Sequence, residues 1–243
     1  MDVSTLLVIV GGGVGGFLTG LAGFGTGLAA MPIWLFAVSP VVAAQLAASC
    51  GVVGQSLNMP AVWPHVRLKR IWHFIAAGLL GVPLGTYVLP LIPDRQFKLG
   101  VGVFLLLFCA YALATRNRVR WTGTYRFGDI AVGFVGGFLA GVAGLSGPVP
   151  TAWATLHDWS RDEKRALFQC FNLTTLFAML ISGAIAGQMS WAFGFAFIAA
   201  IPGTLVGAFI GYKVYQRLTG RNFDTLILAM LALSGSALLI ANT

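Results

Sequence analysis

The stretch Val14-Gly-Gly-Phe-Leu-Thr-Gly-Leu-Ala-Gly23 occurs a second time in this chain, as Val135-Gly-Gly-Phe-Leu-Ala-Gly-Val-Ala-Gly144. The copies are offset by 121 positions and are identical at eight of ten positions. Because that offset is half of the 243-residue length, the sequence predicts a tandem duplication, with repeats at residues 1–120 and 121–243. Glycine-rich copies in apolar sequence indicate a membrane transporter with helices broken near its centre.

Composition supports the membrane assignment. Hydrophobic residues make up 58% of the chain and charged residues 9%, whereas soluble domains carry about 25% charged residues. Residues 3–66 and 132–157 contain no Lys, Arg, Asp or Glu, and runs of that kind cross a ~30 Å hydrocarbon layer. The net charge of +8 does not indicate nucleic acid, because the basic residues lie in short loops between apolar runs. We therefore expect a multi-pass inner-membrane protein whose surroundings are the lipid bilayer.

Each half ends with three apolar segments that are long enough to cross the membrane: residues 41–59, 71–91 and 97–115, then 163–187, 191–215 and 223–241. The sequence before them is ambiguous. Residues 4–36 are interrupted at 23–27, and residues 130–156 are interrupted at 144–148. Each could be one kinked crossing or two pieces folded back as a hairpin.

The distribution of basic residues separates these two topologies, because Lys and Arg concentrate on the cytoplasmic side. Four crossings per half would divide the basic residues 7:8 between the two sides, whereas a hairpin in each half divides them 13:2, with only Arg95 and Lys98 outside. The hairpin also makes the two halves inverted and puts both termini outside the cytoplasm. The predicted fold is therefore an all-α polytopic membrane protein of two inverted repeats, each a glycine-broken re-entrant hairpin plus three transmembrane helices.

This topology predicts that the two glycine tips approach each other near the membrane midplane. The free N–H groups that begin each return arm would then suit an anion. Two further sets of glycines have a spacing typical of close helix packing, and we assign them to that role: Gly12, Gly16 and Gly20, and Gly133, Gly137 and Gly141.

Uncharged polar residues occur at matching places in the two halves. Gln45 and Ser49 share one helix face, Gln169 and Asn172 share another, and Gln55 lies nearer the cytoplasmic end, where it could line a vestibule. Asp129 is expected to flank a helix start. The predicted substrate-binding residues are Gly23, Gly25, Thr26, Gly27, Gly144, Ser146, Gly147, Pro148, Ser49, Gln45, Gln169 and Asn172.

Two motifs carry a resemblance to a known family. Gly23-Phe-Gly-Thr-Gly-Leu-Ala-Ala-Met-Pro32, followed by Pro40 and Ala44, resembles the first motif of the sulfite exporter TauE/SafE family. Gly141-Val-Ala-Gly-Leu-Ser-Gly-Pro148, followed by Arg165-Ala166, resembles the second. The first motif has fewer consecutive glycines here than is usual in the family. The resemblance implies a small permease for sulfur-containing anions such as sulfite, sulfoacetate or related organosulfonates.

Energetics favour export of such an anion, because an inside-negative potential of about 100 mV drives each negative charge outward by ~2.3 kcal/mol. The alternative is a sodium- or proton-coupled importer of a small anion. An intramembrane enzyme would need a nucleophile with a base, or a metal cluster, at membrane depth, and a scaffold would not need two matched polar breaks. We therefore expect no enzymatic activity, no cofactor and no metal site. A homo-oligomer is compatible with this class of protein.

Overall fold

The computed structural model describes residues 2–114, 126–157, 159–217, 232–233 and 235–241, and the fold of these ranges is helical. The helices are α1 (Val3–Ala22), α2 (Thr26–Trp34), α3 (Pro40–Val62), α4 (Leu68–Val88), α5 (Asp94–Ala114), α6 (Arg126–Ala143), α7 (Pro148–Thr155), α8 (Arg161–Ile185) and α9 (Trp191–Arg217). Single 3₁₀ turns follow α3 and α4. Most of the expected segment 223–241 lies outside the described residues, and its described part is mainly helical.

Six of the described helices are long and apolar enough to cross a membrane, namely α1, α3, α4, α6, α8 and α9. Large apolar side chains remain exposed on them, such as Ile198 at 70% and Phe209 at 63%. Such a surface suits contact with lipid. The prediction of an all-α, multi-pass membrane protein is confirmed.

Helices α2 and α7 have only 9 and 8 residues. At 1.5 Å per residue they are about 13 and 12 Å long, too short to cross a ~30 Å layer. The sequence analysis expected short segments at these two places.

Glycines end the helix that precedes each return arm. The Gly23 N–H donates to Thr19 O at 2.8 Å, and the Gly144 N–H donates to Ala140 O at 2.7 Å. Gly23, Gly25 and Gly144 have φ values of 77°, 99° and 64°, in the left-handed region that favours glycine. The predicted interruptions are therefore present, although α2 already begins at Thr26 and α7 at Pro148.

A second set of glycines lets helices touch backbone to backbone, as the sequence predicted. A methyl group at any of these positions would overlap the facing backbone, so no larger residue fits without a shift. Along α1 the facing pairs are Gly12 with Ala200, Gly16 with Thr204 and Gly20 with Ala208; along α6 they are Gly133 with Phe74, Gly137 with Gly78 and Gly141 with Val82. In these facing pairs the residue numbers increase along both helices. Helix α1 therefore runs parallel to α9, and α6 runs parallel to α4.

The central helices α3 and α8 run in opposite directions. Gly51 of α3 faces Leu176, whereas Gln55, one turn later, accepts a hydrogen bond from the earlier residue Gln169. Helix α4 runs parallel to α8, because Arg67 pairs with Glu163 near their N-terminal ends and Gly78 faces Thr175 further along.

The direction of α9 follows from its connection to α8. Only a short segment separates the two helices, and Arg165 near the start of α8 contacts the ring of Tyr215 near the end of α9. Helix α9 therefore runs antiparallel to α8. As a result α1, α3 and α9 share one direction, and α4, α6 and α8 share the other.

A tryptophan anchors each return arm to the helix before it. The indole Nε1 of Trp34 in α2 donates to Val8 O of α1 at 3.0 Å, and Nε1 of Trp153 in α7 donates to Asp129 Oδ1 of α6 at 2.9 Å. Asp129 lies in the first turn of α6, as expected, and is only 8% exposed. These hydrogen bonds tie α2 to α1 and α7 to α6.

Candidate functional site

The two glycine breaks meet beside the middle of the central helix α3. A Cβ placed on Gly27 would lie 2.8 Å from Gly144 O, and one placed on Gly147 would lie 2.6 Å from Phe24 Cδ2, so the two breaks are in direct contact. Gly51 is the central residue of α3, and its Cβ position lies 3.7 Å from Thr26 Oγ1. The Cβ position of Gly144 lies 2.7 Å from Ala47 Cβ, about one turn away. The two tips therefore pass each other at the centre of the bundle.

A small cavity lies at this meeting point. Both breaks and the middle of α8 contribute to its wall. Its lining residues are Gly25, Thr26, Gly27, Leu28, Gln55, Gly144, Leu145, Ser146, Gly147, Pro148, Asn172 and Leu176. No Lys, Arg, Asp or Glu is among them, and eight of the twelve residues predicted from sequence are.

Asn172 is the polar residue of this cavity whose side-chain amide has no hydrogen-bond partner among the described residues. It is 1% exposed, and neither its Nδ2 nor its Oδ1 has a hydrogen-bond partner among the described residues. Gln55 is also 1% exposed, and its side-chain Oε1 has no partner in the same part of the chain. An unsatisfied buried polar group costs about 1–3 kcal/mol. The site therefore keeps hydrogen-bonding capacity that a polar ligand would satisfy.

The N-terminus of α2 adds backbone donors. Its first i→i−4 bond joins the Ala29 N–H to Gly25 O at 3.2 Å, so the preceding N–H groups of Thr26, Gly27 and Leu28 make no such bond. These groups carry the partial positive charge of a helix N-terminus. Pro148 and Pro150 have no N–H, so the donors of the second break are the N–H groups of Ser146, Gly147 and Val149. Both breaks therefore present backbone donors.

Gln45 and Ser49 do not line the cavity. Ser49 Oγ donates to Gln45 O within α3 at 2.9 Å, and Gln45 Nε2 donates to Gln188 Oε1 at 2.9 Å. Gln188 Nε2 in turn donates to Thr86 O of α4 at 2.7 Å. This chain of hydrogen bonds joins α3 and α4 to the segment between α8 and α9, as interhelical polar contacts do.

Gly23 and Gln169 lie beside the cavity rather than in its wall. Gln169 Nε2 donates to Gln55 O at 2.6 Å, which joins α8 to α3. The Cβ position of Gly23 lies 3.6 Å from both Arg165 Nε and Gln169 Oε1. The first break is therefore flanked by the N-terminal part of α8.

Sequence reasoning placed Gln55 in a vestibule and did not single out the apolar wall residues Leu28, Leu145 and Leu176. Leu176 follows Asn172 by four residues and so shares its face of α8, a signal that could have been used. Gln55 offered no such signal. Within the described ranges, no group of three or more His, Cys, Asp or Glu side chains is arranged to hold a metal.

A multi-pass helical membrane protein in which two glycine-broken helices meet at a buried, uncharged polar cavity belongs to the broad class of small-solute transporters. The model of the Sulfite exporter TauE/SafE family matches residues 7–238, and the chain belongs to that family. No curated protein and no solved structure matches the chain.

Proposed function

We propose that the protein exports a small sulfur-containing anion, such as sulfite, sulfoacetate or a related organosulfonate, across the inner membrane. The anion would bind between the two glycine breaks. One observation carries the proposal: the Asn172 amide faces the cavity, buried and without a partner among the described residues. An amide donates two hydrogen bonds to anion oxygens without the desolvation cost of a buried ammonium group.

We propose an inverted-repeat topology for this exporter, with repeats at 1–120 and 121–243 and both termini outside the cytoplasm. Each repeat would comprise a re-entrant hairpin and three transmembrane helices. The opposite directions of α1 and α6, which begin the two repeats, support this topology, as does the 13:2 division of basic residues. Inversion matters for function because it lets one tip enter from each side and meet the other at the substrate.

If a negative charge is transported without a coupling ion, the membrane potential should drive its release. Purified protein in proteoliposomes loaded with radiolabelled sulfite should release it, and release should accelerate when valinomycin and a potassium gradient make the interior negative. A potential of about 100 mV supplies ~2.3 kcal/mol per charge. Sulfoacetate and methanesulfonate, added as competitors, would rank the substrates. Release equal to that of protein-free liposomes would reject the proposal.

The unpartnered oxygens of Asn172 and Gln55 favour a second candidate, a sodium-coupled importer, because carbonyl oxygens are suitable ligands for a hard cation. The same proteoliposomes separate the two. Uptake that requires an inward sodium gradient, and that is lost when sodium is replaced by choline, would establish coupled import. Uptake that follows a proton gradient would establish the proton-coupled form.

A further inference from the structure

We propose that Arg165, at the first glycine break, forms an anion-loading site on the cytoplasmic side of the cavity. This inference rests on the proposed export of a sulfur oxyanion, because it assigns the residue that the anion meets first. Arg165 is the fifth residue of α8, near the helix end that the distribution of basic residues assigns to the cytoplasm. Its Nε lies 3.6 Å from the Cβ position of Gly23, so the guanidinium adjoins the first break.

The flat face of the Arg165 guanidinium packs against an aromatic ring, whereas its edge has no hydrogen-bond partner among the described residues. Its central carbon lies 4.5 Å from the centroid of the Tyr215 ring, which is a cation–π contact. Stacking occupies the flat face, whereas all N–H donors point outward in the plane. Arg165 Nε is buried and has no acceptor, and the structure records no carboxylate partner for this side chain within the described residues. The nearby Glu163 pairs with Arg67 instead.

An unpaired, partly buried cation with an unsatisfied donor is costly. A sulfur oxyanion removes that cost, because two of its oxygens accept parallel bonds from a guanidinium edge. Gly23 has no side chain, so no Cβ stands between the break and Arg165 Nε. The geometry therefore fits an oxyanion rather than a spherical halide.

The loading site leads directly to the cavity. Arg165, Gln169 and Asn172 are spaced i, i+4 and i+7, so they lie along one face of α8. Gln169 is fully buried, and its Nε2 is committed to Gln55 O while its Oε1 has no partner among the described residues. The route from Arg165 to Asn172 therefore passes Gln169 and stays on one face of α8.

Inverted membrane vesicles expose the cytoplasmic face and allow a direct test, with radiolabelled sulfite as the probe. Arg165→Gln should raise the sulfite concentration for half-maximal uptake by about tenfold or more, the effect of losing a charge-assisted hydrogen bond. The maximal rate should stay close to that of the wild type, because the cavity is unchanged. Lys213→Gln is the matched control, because Lys213 also makes a cation–π contact, with Phe209, and lies near Tyr215 at the end of α9. Its half-maximal concentration should not change.

Arg165→Lys keeps the charge but loses the planar edge, so it should also raise the half-maximal concentration, by less than the glutamine variant. This variant serves as the test if Arg165→Gln is absent from the membrane. An unchanged half-maximal concentration in whichever variant inserts would overturn the loading site while leaving the exporter intact. Wild-type vesicles that take up no sulfite would instead overturn the proposed function, and the loading site with it.

Discussion

Replacing Asn172 by Leu should affect ligand binding and protein stability in opposite directions. The side chain is 1% exposed, lines the cavity and has two polar atoms without partners among the described residues. Leucine has a similar size and no hydrogen-bonding groups. The substitution therefore removes what a ligand would use, without removing any hydrogen bond that the empty protein makes in its described part.

The magnitudes follow from those two atoms. Loss of one hydrogen bond to a charged ligand costs about 1.5–3 kcal/mol, which is roughly a 10- to 150-fold weaker Kd. In the ligand-free protein, each unsatisfied buried polar group costs about 1–3 kcal/mol. Removing that cost should make the Asn172→Leu protein at least as stable as the wild type. A site retained at the expense of stability is common among functional residues.

Both quantities can be measured on the same detergent-solubilised samples. Isothermal titration with sulfite gives Kd, and thermal unfolding without ligand gives stability. Thr175→Val is the matched control on the same helix, because Thr175 Oγ1 donates to Phe171 O at 2.7 Å and does not line the cavity. We expect that control to bind sulfite normally.

Normal sulfite binding by Asn172→Leu would refute the reasoning, because the unpartnered amide would then have no role in recognition. A large loss of thermal stability would contradict the second half of the argument. In that case the amide would make a hydrogen bond in the ligand-free protein, for instance to ordered water.

Three further predictions follow from the packing and the topology. Cysteine placed at Arg67 should react with an impermeant thiol reagent only from the cytoplasmic side, and cysteine placed at Arg95 only from outside; equal labelling from one side would contradict the inverted topology. Gly16→Ala should lower the melting temperature strongly because its methyl group meets a facing backbone carbonyl, whereas Gly13→Ala, with 3.7 Å to its nearest neighbour, should be tolerated. Gln188→Leu should destabilise the protein by about 1–3 kcal/mol by leaving buried polar partners unsatisfied, without weakening sulfite binding by titration.

Much of the fold was predictable because it depends on local chemistry. The apolar runs specify helices of membrane length, and glycines at 23, 25 and 144 are needed where φ is positive. The glycine spacing in α1 also predicted close packing correctly. The polar partners were harder, since Gln45 meets Gln188, a residue 143 positions away. No local pattern reports such a pairing.

The sequence by itself determined that this is a helical membrane protein of the sulfite exporter TauE/SafE family with two glycine breaks, and it predicts a duplication with matching polar helix faces. Composition, periodicity and backbone preference are properties of neighbouring residues, so they can be read along the chain. Tertiary structure alone decided which polar groups remain without partners. It pairs Gln45 with Gln188 and Gln169 with the carbonyl of Gln55, yet leaves Asn172 and Arg165 unsatisfied in the described chain. Hydrogen-bond satisfaction depends on what the other helices bring within about 3 Å, and that is set by packing.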